Sequence, residues 1–306
     1  MTSEMIKVIA QLEKVLSGLK DFQKATVASV IKRFQSGEHN ERMLVADEVG
    51  LGKTIVAKGV IAELLKERIL THAAQPAGTS YTPLRVTYIC SNLTLANENR
   101  KKLAVFKGED HQKYVQEPSY SRLLEIAVSE AQPEQEGKLL ELCSLTPSTS
   151  FNLTQGYGNW RERLITYFTL IGHPKLSKYT DILSDLLSDD VKNWNNEHAA
   201  FIDTKVIVPA VAVAFHQLLS QPIGTLERDT YAIDVDHQTV LDALLAYCNN
   251  SDTIENTYKF KTYLRLLMAR ACAKHLSADL FILDEFQRFK TLLATQSAAE
   301  EAMIAN

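Results

Sequence analysis

Two short strings constrain the fold of this chain more than its composition does. Residues 47–54 read Asp-Glu-Val-Gly-Leu-Gly-Lys-Thr, and residues 284–287 read Asp-Glu-Phe-Gln. Short apolar runs precede both strings, at 42–46 and 279–283, and an amphipathic stretch follows the first. The order strand, Gly-rich turn, helix aims backbone N–H groups and a positive helix end at a polyphosphate. The second run delivers two acids to the carboxyl edge of a sheet, so the pair predicts an α/β fold with a nucleotide site.

The first string also resembles a known family. A loop of the form Asp-Glu-x-Gly-x-Gly-Lys-Thr, with Asp47 where the strict eight-residue loop has Gly, is similar to the nucleotide loop of superfamily 2 helicases, especially Swi/Snf-type translocases. Upstream, residues 19–23 (Leu-Lys-Asp-Phe-Gln) resemble the Q motif of that family. The resemblance implies that Gln23 reads the adenine edge. The alternative is a surface glutamine at a helix start that follows an Asp cap.

Two further stretches resemble motifs that contact nucleic acid in the same family. A strand at 85–90 runs into Ser91, Asn92 and a helix carrying Arg-Lys-Lys at 100–102, and resembles motif Ia. Its hydroxyls and helix N-terminus would hold a nucleic-acid phosphate. Leu-Thr-Pro at 145–147 resembles motif Ib, with Thr146 as the contact residue. Ordinary alternatives exist for both, namely a capped helix with a solvated basic face and a common loop sequence.

The resemblance implies a role for each matching residue of an ATP and Mg²⁺ site. The loop residues expected at the nucleotide, together with the Q-motif glutamine, are Gln23, Gly50, Leu51, Gly52, Lys53 and Thr54. Lys53 neutralises the β- and γ-phosphates, while Thr54 and Asp284 hold Mg²⁺, a hard cation that prefers oxygen ligands. Glu285 orients and deprotonates the attacking water, and Gln287 senses the γ-phosphate. The resemblance therefore implies an ATP hydrolase.

The implied architecture is a RecA-like parallel sheet flanked by helices, interrupted by a mostly α-helical insertion. We expect the first part of the lobe at 1–152, the insertion at 153–253 and the last part at 254–306. Helical segments are predicted within the insertion at 161–170, 179–187, 205–219 and 238–248. A further predicted helix, 258–275, carries five basic residues: Lys259, Lys261, Arg265, Arg270 and Lys274. We expect them to form a solvated helix face, and the alternative is a basic stripe.

The family completes its site with a second RecA-like lobe that carries an arginine finger. Only a short stretch follows Gln287, and it contains no Ser-Ala-Thr string, so we expect the first lobe alone, truncated before its partner. An arginine finger contributes about 10³–10⁵ in rate, so hydrolysis by the isolated lobe should be weak or absent. The Asp-Glu-Phe-Gln box resembles a less common bacterial variant, which makes a restriction or phage-defence system the expected setting.

Composition restricts the remaining possibilities. The chain has 306 residues, a net charge of −4 and four scattered cysteines without a Cys-x-x-Cys pair. A charge of this sign gives no global basic field, so binding of DNA or RNA would depend on local backbone contacts. The cysteine pattern argues against a zinc site or a disulfide framework, and no run reaches the length of a membrane span. We expect a cytoplasmic protein that does not bind membranes.

Two functions from different classes fit these observations. The first is the motor lobe of a superfamily 2 DNA or RNA helicase or translocase. The second is a P-loop switch ATPase that binds protein partners through its helical insertion and never contacts nucleic acid. A glutamine upstream of the loop and a Thr-Pro motif are features that a switch ATPase does not need, and they favour the first function.

Overall fold

The computed structural model describes residues 2–36, 42–46, 52–76, 78–90, 93–117, 122–130, 137–146, 156–189, 191–276 and 278–284. The helices, in chain order, are α1 (Ser3–Ser17), α2 (Asp21–Gln35), α3 (Lys53–Ala73), α4 (Leu93–Leu103), α5 (Glu109–Tyr114), α6 (Trp160–Ile171), α7 (Thr180–Ser188), α8 (Trp194–Thr204), α9 (Pro209–Leu219), α10 (Thr225–Tyr231), α11 (Val240–Asn249) and α12 (Thr257–Lys274). The strands are β1 (Leu84–Cys90), β2 (Val115–Gln116), β3 (Val128–Glu130), β4 (Leu140–Leu145), β5 (Lys205–Ile207) and β6 (Leu280–Asp284).

The described residues divide into two compact units. The first contains those within Met1–Ser119, Gln135–Thr146 and Ser277–Arg288, and the second those within Tyr120–Glu134 and Pro147–Leu276. Each unit has its own apolar core. The second unit extends beyond the 153–253 insertion expected from the sequence, because α12 and residues 122–130 belong to it.

A four-stranded parallel sheet forms the centre of the first unit, in the order β2–β4–β1–β6. β1 is an inner strand. Val86 and Tyr88 on one face are each 1% exposed and Thr87 on the other face is 4% exposed, as expected for a strand covered on both faces. Helices α1 and α2 pack on α3, while α3 and α4 pack on β1. The α/β class, with a parallel sheet flanked by helices, is therefore confirmed.

The carboxyl ends of β1 and β6 lie side by side. In the parallel register Cys90 is opposite Asp284, the last residue of β6. The predicted strand at 85–90 and the apolar run at 279–283 correspond to β1 and β6 within the usual uncertainty of strand ends. The sheet thus brings the first acid of the Asp-Glu box to the edge that parallel α/β sheets use for ligands.

The strand predicted before the phosphate-binding loop is not present. Residues 42–46 are described, but they form no strand, and the Leu44 side chain is 88% exposed. Only Val45 packs against the core of the first unit. An apolar run this short becomes a strand only when a neighbour accepts and donates its backbone hydrogen bonds, and no described strand pairs with it.

The second unit is mostly helical, with a small antiparallel pair formed by β3 and β5. One predicted helix, 205–219, begins later than expected, because Lys205–Ile207 is β5 and the helix starts at Pro209. Proline suits the first helical position, since its missing N–H has no partner there anyway, and it pushes the residue before it into an extended conformation. Among the described residues, no helix has the length and apolar character needed to cross a membrane.

Candidate nucleotide site

Three of the predicted phosphate-binding residues, Gly52, Lys53 and Thr54, lie at the start of α3. Gly52 is the N-cap, with φ +83° and ψ 40°, a left-handed conformation that glycine adopts without strain. Lys53 is the first helical residue, and the N–H groups of Ile55 and Val56 donate to the Gly52 carbonyl at 2.8 and 3.0 Å. Because the first N–H groups and the dipole of a helix favour an anion, this helix start suits a phosphate. Thr54 lies in the same first turn.

Gln23 contacts this helix start from a different element. Its Nε2 atom lies 2.9 Å from the position that a Cβ on Gly52 would occupy. The Gln23 side chain is 5% exposed, and its Oε1 accepts the Lys20 N–H at 3.0 Å as part of the capping box of α2. That bond turns the amide nitrogen toward Gly52. The residue is therefore buried, not the surface glutamine of the alternative interpretation, and the helix cap is Lys20.

Asp284 is held by two side chains that the sequence did not single out. The Tyr88 hydroxyl donates a hydrogen bond to Asp284 Oδ2, and Asn99 Nδ2 lies 3.3 Å from the same oxygen. Asn99 Nδ2 also donates to the Tyr88 hydroxyl at 2.9 Å. Lys102 Nζ in turn donates to Asn99 Oδ1 at 3.1 Å. A chain of hydrogen bonds thus connects β1, α4 and the carboxylate at the end of β6.

The electrostatics of Tyr88 agree with this geometry. Burial raises the pKa of Tyr88 well above its ordinary value, and the hydrogen bond to Asp284 raises it further. The phenol therefore stays protonated over the whole physiological range and keeps its proton for donation to the carboxylate. No local sequence signal marks a tyrosine inside a buried strand as such a donor, so only the folded arrangement identifies it.

Near the expected nucleic-acid contacts, Arg100 and Lys102 bond to neighbouring side chains and Thr146 is buried. Arg100 forms an ion pair with Glu117, with Nε 3.7 Å from Oε1, and Lys102 is bonded to Asn99. Thr146 follows β4 directly, and its side chain is only 1% exposed. In this conformation Thr146 offers no surface for a phosphate contact. Within α4, Lys101 is exposed.

The basic residues of α12 differ in exposure: Lys259 and Lys274 are exposed, as a solvated face would have them, but two others are buried. Lys261 and Arg265 are each 6% exposed. Lys261 Nζ donates to Asp189 Oδ2 at 2.8 Å, and Arg265 Nε lies 3.2 Å from Glu162 Oε2. Both interpretations drawn from the sequence are therefore wrong at these two positions. The physical reason is that buried cations are retained where carboxylates compensate them.

Several predicted site residues lie outside the described part of the chain. These are Gly50, Leu51, Ser91, Asn92, Glu285 and Gln287. The structure places Gln23, Gly52, Lys53, Thr54, Thr146 and Asp284, all within the first unit. It brings Gln23 to Gly52.

The described residues fit a nucleotide and Mg²⁺ in two respects. A Cβ at position 52 would fill the space against Gln23, so the glycine keeps the backbone accessible at the helix start. Thr54 and Asp284 offer hydroxyl and carboxylate oxygens, the donors that Mg²⁺ takes. No group of three His, Cys, Asp or Glu side chains suited to a metal occurs among the described residues. Few protein ligands are needed where Mg²⁺ keeps waters and binds phosphate oxygens.

A groove of about 570 Å³ lies elsewhere in the first unit, among α1, α2 and α3. Its floor is apolar, with Leu16, Val27 and Ile31, and its rim carries charges of both signs. None of the residues assigned to the nucleotide lines it. The groove therefore does not compete with the helix start as the candidate phosphate site.

Comparison of this chain with protein-family models, with curated proteins and with solved structures finds no match. Its function must be inferred from its own residues. The features that bear on function are the Gly52 helix start, the buried Gln23 amide beside it, and the tethered Asp284 carboxylate.

Proposed function

We propose that this chain is the ATP-binding motor lobe of a superfamily 2 DNA or RNA helicase or translocase, with a RecA-like arrangement of its parallel sheet. The observation that carries the proposal is the approach of Gln23 Nε2 to within 2.9 Å of the Cβ position on Gly52. Two motifs that are separated in sequence, one for the base and one for the phosphates, meet at one helix start. A chance Gly-rich turn would not require this contact.

Each residue of the proposed site has a role that its chemistry permits. Bound ATP supplies the phosphoryl group, and bound Mg²⁺ supplies charge stabilisation. Gly52 keeps the α3 start open, and Lys53 places a positive charge beside the phosphates. Thr54 and Asp284 hold the ion through oxygen atoms. Glu285 accepts the proton of the attacking water, and Gln287 senses the γ-phosphate.

The proposal includes two kinds of partner. One is the sugar–phosphate backbone of DNA or RNA, contacted at α4, whose last turn carries the exposed Lys101. The other is a second RecA-like lobe, in cis or in trans, that supplies the arginine finger. Such a finger is worth about 10³–10⁵ in rate, so turnover by this lobe should depend on that partner.

The alternative function is a P-loop switch ATPase that binds protein partners through its helical unit. Specific observations favour it over nucleic-acid binding. Thr146 is buried, Arg100 is paired with Glu117, and Lys102 is bonded to Asn99. The two functions share the nucleotide site and differ in whether nucleic acid binds.

Thermal unfolding with and without Mg²⁺ and ATP tests the shared nucleotide site. A ligand that binds only the native state at 100 times its Kd stabilises that state by about 2.7 kcal/mol, which raises the thermal midpoint. Lys53→Ala should abolish the shift. Lys66→Ala on the same helix removes a lysine whose Nζ lies 2.8 Å from Glu63 Oε1, and should keep the shift. An equal shift in the Lys53 variant would exclude the helix start as the site.

Fluorescence anisotropy with labelled DNA and RNA oligonucleotides separates the two functions. The motor lobe should bind weakly, and its affinity should fall steeply with salt, because only phosphate contacts are available. Lys101→Ala should weaken this binding, whereas Lys259→Ala on α12 should not. Absence of binding at low salt, together with normal nucleotide binding, would favour the switch ATPase.

A further inference from the structure

We propose that Tyr88 and Asn99 are positioning residues that hold the Asp284 carboxylate in place for Mg²⁺, and that Lys102 fixes the orientation of the Asn99 amide. This inference rests on the proposed ATP site. It assigns a role to side chains on β1 and α4 that are not part of the phosphate-binding loop or the Asp-Glu box.

The direction of the hydrogen-bond chain follows from the chemistry of its members. The Lys102 ammonium has only donors, so the Asn99 atom 3.1 Å from it is the carbonyl oxygen. Asn99 Nδ2 must then face Tyr88 and Asp284. The Tyr88 hydroxyl accepts from Asn99 and gives its single proton to Asp284 Oδ2. Each hydrogen bond in this network therefore donates in the direction of the Asp284 carboxylate.

The burial of Tyr88 and Asn99 indicates that their hydroxyl and amide groups do more than fill space. Tyr88 is 1% exposed and Asn99 is 6% exposed, and a phenylalanine or leucine would fill the same space without a hydroxyl or amide to satisfy. β6 is hydrogen-bonded to β1 alone among the described strands. A carboxylate at the end of such a strand needs side-chain partners to keep one rotamer, and partners of this kind tune the metal affinity of the ligands they orient.

The test measures how much Mg²⁺ contributes to ATP affinity in the whole chain. The Kd for a fluorescent ATP analogue is determined in EDTA and again in saturating Mg²⁺, and the ratio of the two values reports the contribution of the ion. Tyr88→Phe should leave the Kd in EDTA unchanged and lower the ratio by about 10–100-fold, the usual effect of losing a partner that orients a metal ligand.

Tyr81→Phe is the matched control. Tyr81 lies in the same unit, and its hydroxyl donates to the Leu139 carbonyl at 3.3 Å, away from Asp284. This substitution removes the same atom and should leave the ratio unchanged. Asn99→Ala keeps the Tyr88 ring, should lower the ratio in the same direction, and decides the matter should the Tyr88 variant fail to fold.

The possible outcomes separate a failure of the positioning role from a failure of the proposed ATP site. If the unsubstituted chain binds no nucleotide in either buffer, the proposed function fails and the inference with it. If nucleotide binds and Mg²⁺ strengthens binding equally in all variants, the positioning role is overturned while the ATP site stands. Equal loss of affinity with and without Mg²⁺ would make Tyr88 and Asn99 structural residues and would also overturn the inference.

Discussion

Replacing Gly52 with alanine tests whether the helix start has the geometry described. An alanine at φ +83° carries backbone strain of about 1–2 kcal/mol. Its Cβ would also lie 2.9 Å from Gln23 Nε2, closer than real contacts allow. Moving the buried amide breaks the bond from the Lys20 N–H to Gln23 Oε1, a loss of about 0.5–1.5 kcal/mol. The unfolding free energy should therefore fall by roughly 1.5–3.5 kcal/mol in total.

Gly78→Ala provides the matched control for backbone strain. Gly78 has φ +93°, and a Cβ there would meet nothing within 4 Å. Both glycines belong to the first unit, so both variants report on the unfolding of that unit. The control should lose only the strain energy, about 1–2 kcal/mol.

Urea unfolding followed by circular dichroism measures the stability of both variants, and titration with ATP and Mg²⁺ measures their affinity. The Gly52 variant should be less stable than the Gly78 variant by about 1 kcal/mol. It should also lose at least about 10-fold in nucleotide affinity, equivalent to about 1.4 kcal/mol, while the Gly78 variant binds normally. Equal stability and equal affinity of the two variants would refute the contact between Gln23 and the helix start.

Further predictions concern the base, the buried ion pair and acid stability. Gln23→Ala should erase a preference for ATP over GTP in competition binding, because a site that hydrogen-bonds one base edge rejects the other base strongly. Equal affinities for ATP and GTP in the unsubstituted chain would show that Gln23 does not recognise adenine. Glu162→Ala should lower the unfolding free energy by about 3–5 kcal/mol, since it removes the carboxylate that pairs with the buried Arg265. Glu162→Leu with Arg265→Met should recover most of the loss in urea unfolding. The hydrogen bond from Lys261 holds the pKa of Asp189 below its ordinary value of 3.8. The stability that Asp189 contributes is thus fully present above its ordinary pKa and is lost as the pH falls through its lower pKa in the folded state. Asp189→Asn should therefore reduce the loss of unfolding free energy measured between about pH 5 and about pH 2.

Local sequence patterns predict the sheet strands well where the apolar run is continuous, even at the sheet edge, where Phe281 and Leu283 of β6 are 42% and 47% exposed. The runs at 85–90 and 279–283 could be recognised because a continuous apolar stretch of this length has few other uses. The run at 42–46 is also short and mostly apolar, but no strand forms there. Pairing depends on a neighbour from elsewhere in the chain, and a short run carries no information about that neighbour.

Sequence spacing likewise identifies some residues of the candidate site and misses others. Lys53, Thr54 and Asp284 could be identified from spacing, because their chemistry requires those residue types next to a Gly turn or a strand end. Tyr88 and Asn99 could not, because their hydrogen bonds to Asp284 form only when β1, α4 and β6 meet. Local helical periodicity was equally uninformative for Lys261 and Arg265, whose partners Asp189 and Glu162 lie 72 and 103 residues away along the chain.

A crystal structure of this chain with a non-hydrolysable ATP analogue and Mn²⁺ in place of Mg²⁺ is the most direct test of the proposed ATP site. The anomalous signal of Mn²⁺ locates the ion independently of the nucleotide density. We predict the phosphates at the N-terminus of α3 beside Lys53, and the ion within coordination distance, directly or through one water, of Thr54 and Asp284. Nucleotide bound elsewhere in the chain, or an ion away from both residues, would contradict the account.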